Sequence, residues 1–135
     1  MHTQAMLASH PRAAQAGQAE LVVCVDACYD CAQSCTACAD ACLGEIEVQM
    51  LLRCIRLNRD CAAVCLATGE ILSRQTEMEW DLAQRQLQTC AQACRLCAEE
   101  CEKHADRHDH CRVCAEACRE CEDACQRLTA ALPSR

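Results

Sequence analysis

Six cysteines between Cys24 and Cys42 recur at steps of four and three residues: Cys24, Cys28, Cys31, Cys35, Cys38 and Cys42. Such steps return to one face of an α-helix at each turn, so all six thiols share a stripe. A bundle helix ordinarily fills that stripe with Leu and Ile. Here it carries soft groups that ligate metals once deprotonated. The pattern recurs in Cys54, Cys61 and Cys65, in Cys90, Cys94, Cys97 and Cys101, and in Cys111, Cys114, Cys118, Cys121 and Cys125. Cysteine makes up 18 of the 135 residues.

One buried cysteine can be a small hydrophobe. Eighteen on matched stripes cannot be explained that way, because Leu would fill a core better. Disulfides fit poorly, since neighbouring thiols on one helix face point the same way and miss the dihedral a disulfide needs. The first twenty residues show neither an apolar leader nor paired arginines. A cytoplasmic location is therefore expected, where cysteine-rich sequence points to metal.

The choice of metal follows from charge. Structural zinc sites use a few C-x-x-C pairs on loops. Four thiolates on one Zn(II) also leave a charge of −2, costly when repeated through a dry core. Iron–sulfur clusters need sulfide and a few discrete four-cysteine sites. Cu(I) accepts two or three thiolates, and each thiolate can bridge two ions. One Cu(I) per thiolate is neutral, which favours a chain of about 18 Cu(I) ions. The alternatives are a general zinc/copper thiol buffer, metallothionein-like, and an iron–sulfur or redox protein. No nucleophile–base set, phosphate loop or cofactor motif is present, so no enzyme is expected.

These stripes need helices to hold them. With 3 Gly, 2 Pro and no Phe, the chain is poor in turn and strand formers. The fold expected is all-α: an antiparallel, up-down-up-down four-helix bundle with a short N-terminal helical arm. Residues 1–17 are read as the arm and 18–132 as the bundle. Helix one runs over 18–43 and stops at Gly44; helix two runs over 45–73. Thr76 and Glu79 read as a capping box opening helix three. Residues 105–109 form the next turn, and helix four ends before Pro133. The net charge of −7 is spread along the chain, which does not suggest nucleic acid, and no stretch reads as a membrane span.

Antiparallel neighbours at equal height have position numbers with a constant total. One register satisfies every hairpin and stacks four layers: Cys24/Cys65/Cys90/Cys125, Cys28/Cys61/Cys94/Cys121, Cys31/Asn58/Cys97/Cys118 and Cys35/Cys54/Cys101/Cys114. Asn58 is the one residue of these layers without a thiol, either a hydrogen-bonded buried amide or a weak oxygen ligand. At one end follow Leu21/Thr68/Leu87/Leu128 and Gly17/Leu72/Ala83/Leu132, an apolar plug near Trp80 with no soft ligand expected at its rim. At the other come Cys38/Leu51/His104/Cys111, Cys42 opposite Glu47, and Met50, His108 and His110. Copper is expected to enter there, with His104 the foremost candidate because it continues the stripe of Cys101.

The ladders, the cysteine count, Asn58 and the His-rich 104–110 turn resemble the four-helix-bundle copper-storage proteins over residues 18–132. The resemblance implies storage of many Cu(I) ions, a homotetramer and the cytosolic branch of that family. Expected partners are copper ions, further copies of the chain and a copper chaperone, without nucleic acid or membrane.

Overall fold

A computed structural model describes residues 1–12 and 17–132. Among these residues five α-helices follow one another: α1 (Thr3–Ala8), α2 (Gln18–Leu43), α3 (Leu52–Ser73), α4 (Trp80–Glu102) and α5 (Asp109–Ala131). A 3₁₀ turn, Val48–Met50, lies between α2 and α3. No strand occurs among the described residues. The long helices pack as a bundle in which α2 touches α3 and α5, and α4 touches α3 and α5. Residues 13–16 of the expected arm, and Pro133, lie outside the described residues.

The cysteine stripes face inward on all four long helices, and every one of the 18 thiols is buried. Alanine flanks the stripes: Ala32, Ala39, Ala62, Ala98, Ala115 and Ala124 are buried beside them. A methyl group there lets the helices approach closely enough for short thiol side chains to meet. The apolar end forms as expected. Leu21, Leu72, Leu87 and Leu128 are at most 2% exposed, each burial being worth about 1.5–3 kcal/mol. Thr68 is polar but satisfied: its hydroxyl donates to the Val64 carbonyl (2.7 Å) and accepts from Gln86 Nε2 (3.0 Å).

Two local expectations change. Helix two was expected from residue 45 but begins at Leu52, because Leu51, 1% exposed, is drawn into the core and the chain from Gly44 detours around it. The capping box does not form: Glu79 occupies the N-cap of α4 without a side-chain cap, and the Thr76 hydroxyl lies 3.5 Å from His10 Nε2. Inside α3, Gly69 is required by packing, since a Cβ there would meet Tyr29 Cε2 at 2.9 Å. The arm α1 is pinned to the bundle side by Leu7, 4% exposed, and by a hydrogen bond from the Thr3 hydroxyl to the Asp26 carboxylate.

Candidate metal centre

The stripes of α2 and α5 meet sulfur to sulfur over five successive pairs. Cys24–Cys125, Cys28–Cys121, Cys31–Cys118, Cys35–Cys114 and Cys38–Cys111 lie 3.7–3.9 Å apart. Those of α3 and α4 pair likewise: Cys65–Cys90 and Cys61–Cys94 at 3.8 Å, Cys54–Cys101 at 3.6 Å. Both sets are the pairings expected from the spacing. The α2–α3 seam is offset instead. Cys61 lies 3.8 Å from Cys31, not opposite Cys28, and Cys65 joins Cys31 rather than Cys24. Packed helices cross at an angle, so flat layers cannot close around four of them, and the mismatch falls on the pair joined by the long 44–51 detour.

The offset interleaves the sulfurs into overlapping groups, each with its sulfurs within 4.8 Å of one another. Cys28/Cys90/Cys121/Cys125 shares Cys121 with Cys31/Cys65/Cys94/Cys121. That group shares Cys31 with Cys31/Cys35/Cys61/Cys118, which shares Cys35 and Cys118 with Cys35/Cys97/Cys114/Cys118. Cys38/Cys42/Cys54/Cys111 forms a group at the polar end. Between them sits Asn58, fully buried. Its Oδ1 accepts from Cys97 (3.0 Å), Cys114 (3.3 Å) and Cys101 (3.6 Å), while its Nδ2 donates to Cys54 Sγ (3.7 Å). Asn58 thus keeps its expected partner Cys97 on α4 but meets Cys114 on α5, one step nearer the polar end than the expected Cys118.

The thiols form a hydrogen-bonded network whose proton affinities diverge. Hydrogen bonding with Cys125 and then Cys28 draws Cys24 down to about 5. Burial pushes Cys42 up to about 11. A soft cation that binds in such a network takes thiolates and releases their protons to solvent.

At the polar end the three histidines separate in role. His110 Nδ1 is 3.3 Å from Cys38 Sγ and 3.7 Å from Cys111 Sγ, and its Nε2 is 3.0 Å from Glu45 Oε2. His108 stacks on His110 and brings its Nδ1 to 2.7 Å from the same Glu45 oxygen. His104, the foremost sequence candidate, binds Glu100 Oε2 through Nε2 at 2.9 Å. Glu100 is 7% exposed and also faces Arg53 and Lys103. An acidic partner one turn back thus holds the ring of His104. Met50 is 65% exposed, and Glu47 pairs with Arg107 at 3.4 Å. Sequence reasoning missed Glu45. Its signal was its place just after the Gly44 helix stop, at the end where the His-rich turn returns. His110 foremost, aided by His108, holds the Glu45 carboxyl below its ordinary range.

Comparison with known proteins agrees with this geometry. Residues 17–130 match the family model described as copper storage protein. A copper storage protein from Streptomyces lividans, Ccsp, loaded with 10 copper equivalents, is 47% identical, with TM-score 0.94 over 96% of this chain and 99% of that one. A five-copper structure of a cytosolic copper storage protein from the same organism is 51% identical, with TM-score 0.85 over 87% and 98%. The Cu(I)-bound copper storage protein BsCsp3 from Bacillus subtilis is 37% identical, with TM-score 0.70 over 78% and 94%.

Proposed function

The chain belongs to the copper storage protein family, and we propose that it stores about 18 Cu(I) ions, one for each thiolate, along the axis of its bundle. The observation that carries this reading is the sharing of cysteines between neighbouring sulfur groups. Cys31, Cys35, Cys118 and Cys121 each belong to two groups. Isolated tetrahedral sites would divide the thiols without overlap. Shared sulfurs suit an ion that takes two or three thiolates and lets each bridge.

The proposed ligands are the 18 cysteines, with Asn58 available as an oxygen donor and His104, His108 and His110 at the mouth. His110, within reach of Cys38 and Cys111, is the one we place on the ion's path. Residues 1–17 would serve as an arm and 18–132 as the storage bundle. The role is storage rather than catalysis, in the cytoplasm, as a homotetramer exchanging copper with a chaperone. The copper-loaded relatives and the cytosolic description of one of them support this reading. No helix among the described residues is long and apolar enough to cross a membrane.

Titration of the reduced apo-protein with Cu(I) against a competing chelator tests the proposal. Saturation at about 18 ions is expected from bridging thiolates, and saturation at about 4–6 would mean discrete closed sites. Metal analysis and an absorption spectrum separate the alternatives, since Cu(I) thiolates absorb only in the ultraviolet and iron–sulfur clusters are brown.

A further inference from the structure

The flank of the apolar end carries soft donors that the thiol tube does not use. A groove of about 390 Å³ is lined by Met1, His2, Met6 and His10 on the side of α1 and by Tyr29 and Ser73 on the side of α2 and α3. Met1 is 78% and Met6 67% exposed, so neither thioether is spent on packing. His2 and Met6 stand one helical turn apart, fixed by the hydrogen bond from the Met6 amide to the His2 carbonyl at 2.9 Å. Side chains four residues apart share one face of that turn. The turn is itself held in place by buried Leu7 and by the Thr3–Asp26 hydrogen bond.

We propose that this cleft is a second copper site, binding one Cu(I) through the thioethers of Met1 and Met6 and the imidazole of His2. Thioether and imidazole donors suit Cu(I), and they are uncharged when neutral, so the site keeps a net single positive charge that solvent can share at the surface. His10 forms a wall and not a ligand. Its Nδ1 accepts the Arg12 amide at 2.9 Å, which leaves the proton on Nε2, facing Thr76. Three neutral donors at the surface hold copper less tightly than buried thiolates and release it faster. The cleft is thus a place for exchange with external ligands, separate from the long-term store. This goes beyond the storage reading and rests on different atoms.

Methionine methyl resonances report the site directly. In full-length protein carrying ¹³C-methyl methionine, with its thiols first loaded with Cu(I), further Cu(I) is added as its acetonitrile complex. The Met1 and Met6 methyls are expected to shift with about one further equivalent, while Met50 and Met78 stay in place. His2→Ala combined with Met6→Leu should abolish the response; Leu7, which anchors α1, is untouched. The proposal is overturned if Met1 and Met6 move no more than exposed Met50, or if the double variant still responds. Thiol loading is followed separately in the ultraviolet. Absent thiol bands with a persistent Met1 and Met6 response would sink the storage reading and leave this site standing.

Discussion

His110 Nδ1 lies 3.3 Å from Cys38 Sγ, while the opposite nitrogen of the same ring lies 3.0 Å from Glu45 Oε2. One imidazole thus joins a partly exposed carboxylate to a buried thiol. A metal-binding histidine commonly has its second nitrogen oriented by a carboxylate in this way, which fixes the tautomer and raises the basicity of the other nitrogen. With Glu45 on Nε2, the nitrogen left for a metal is the one facing Cys38.

Copper transfer should depend on that ring. His110→Ala is expected to slow exchange with a chelator more than His104→Ala, because His104 is engaged with Glu100. Replacing His104, His108 and His110 together should slow exchange further yet lower total capacity by only about one to three ions, since thiolates hold the rest. Stopped-flow transfer to a chelator checks both. Equal rates in His110→Ala and the parent would sink this route, as would partial loading confined to the Leu21/Leu128 end.

Asn58 receives three thiols on one oxygen. Asn58→Leu keeps the branched shape, with two larger methyl groups in place of the amide, and leaves Cys97, Cys101 and Cys114 without that acceptor. A loss of about 1–3 kcal/mol in apo-protein stability is expected, at the low end because thiols are weak donors. Copper capacity should stay within about one ion if the amide only accepts hydrogen bonds. Loss of several ions on titration would show that the oxygen organises the middle of the chain of metals.

The apo-protein should stay helical. Its Leu plug and Ala-flanked stripes bury apolar surface without any metal. Copper binds only the native arrangement, so loading should raise the melting temperature. Far-ultraviolet circular dichroism decides the point: a coil spectrum without metal would mean that folding is coupled to binding.

Gly69 offers a test of packing against propensity. Alanine there gains about 1 kcal/mol of helix propensity but forces its Cβ toward Tyr29, and overpacking of that kind costs about 1–3 kcal/mol. Thermal denaturation should show Gly69→Ala destabilised on balance. In a Tyr29→Leu background, which removes the ring atoms in the way, the same change should become stabilising. The same sign in both backgrounds would refute the steric account.

How much of this was legible in advance follows from what spacing encodes. Steps of three and four fix a residue's angle around its helix, so the sequence alone determined that Cys24 to Cys42 line one face. It also determined that Cys24 to Cys38 on α2 meet Cys125 to Cys111 on α5, and that Cys65, Cys61 and Cys54 on α3 meet Cys90, Cys94 and Cys101 on α4. The apolar end, from Leu21 to Leu132, was legible for the same reason. Spacing says nothing of how far one helix slides along another. The meeting of Cys61 with Cys31 comes from the packing, because burial of Leu51 sets the path of the α2–α3 connection and helix crossing prevents flat layers. Nor does spacing choose between neighbouring rings. His104 lies on the thiol stripe by its position, but Glu100 captures it, and Glu45 steadies His110 over Cys38 instead. The cleft of Met1, His2 and Met6 was hidden for a third reason: a six-residue helix has too little pattern to say where it docks, and that is set by Leu7 and Thr3 meeting the side of α2.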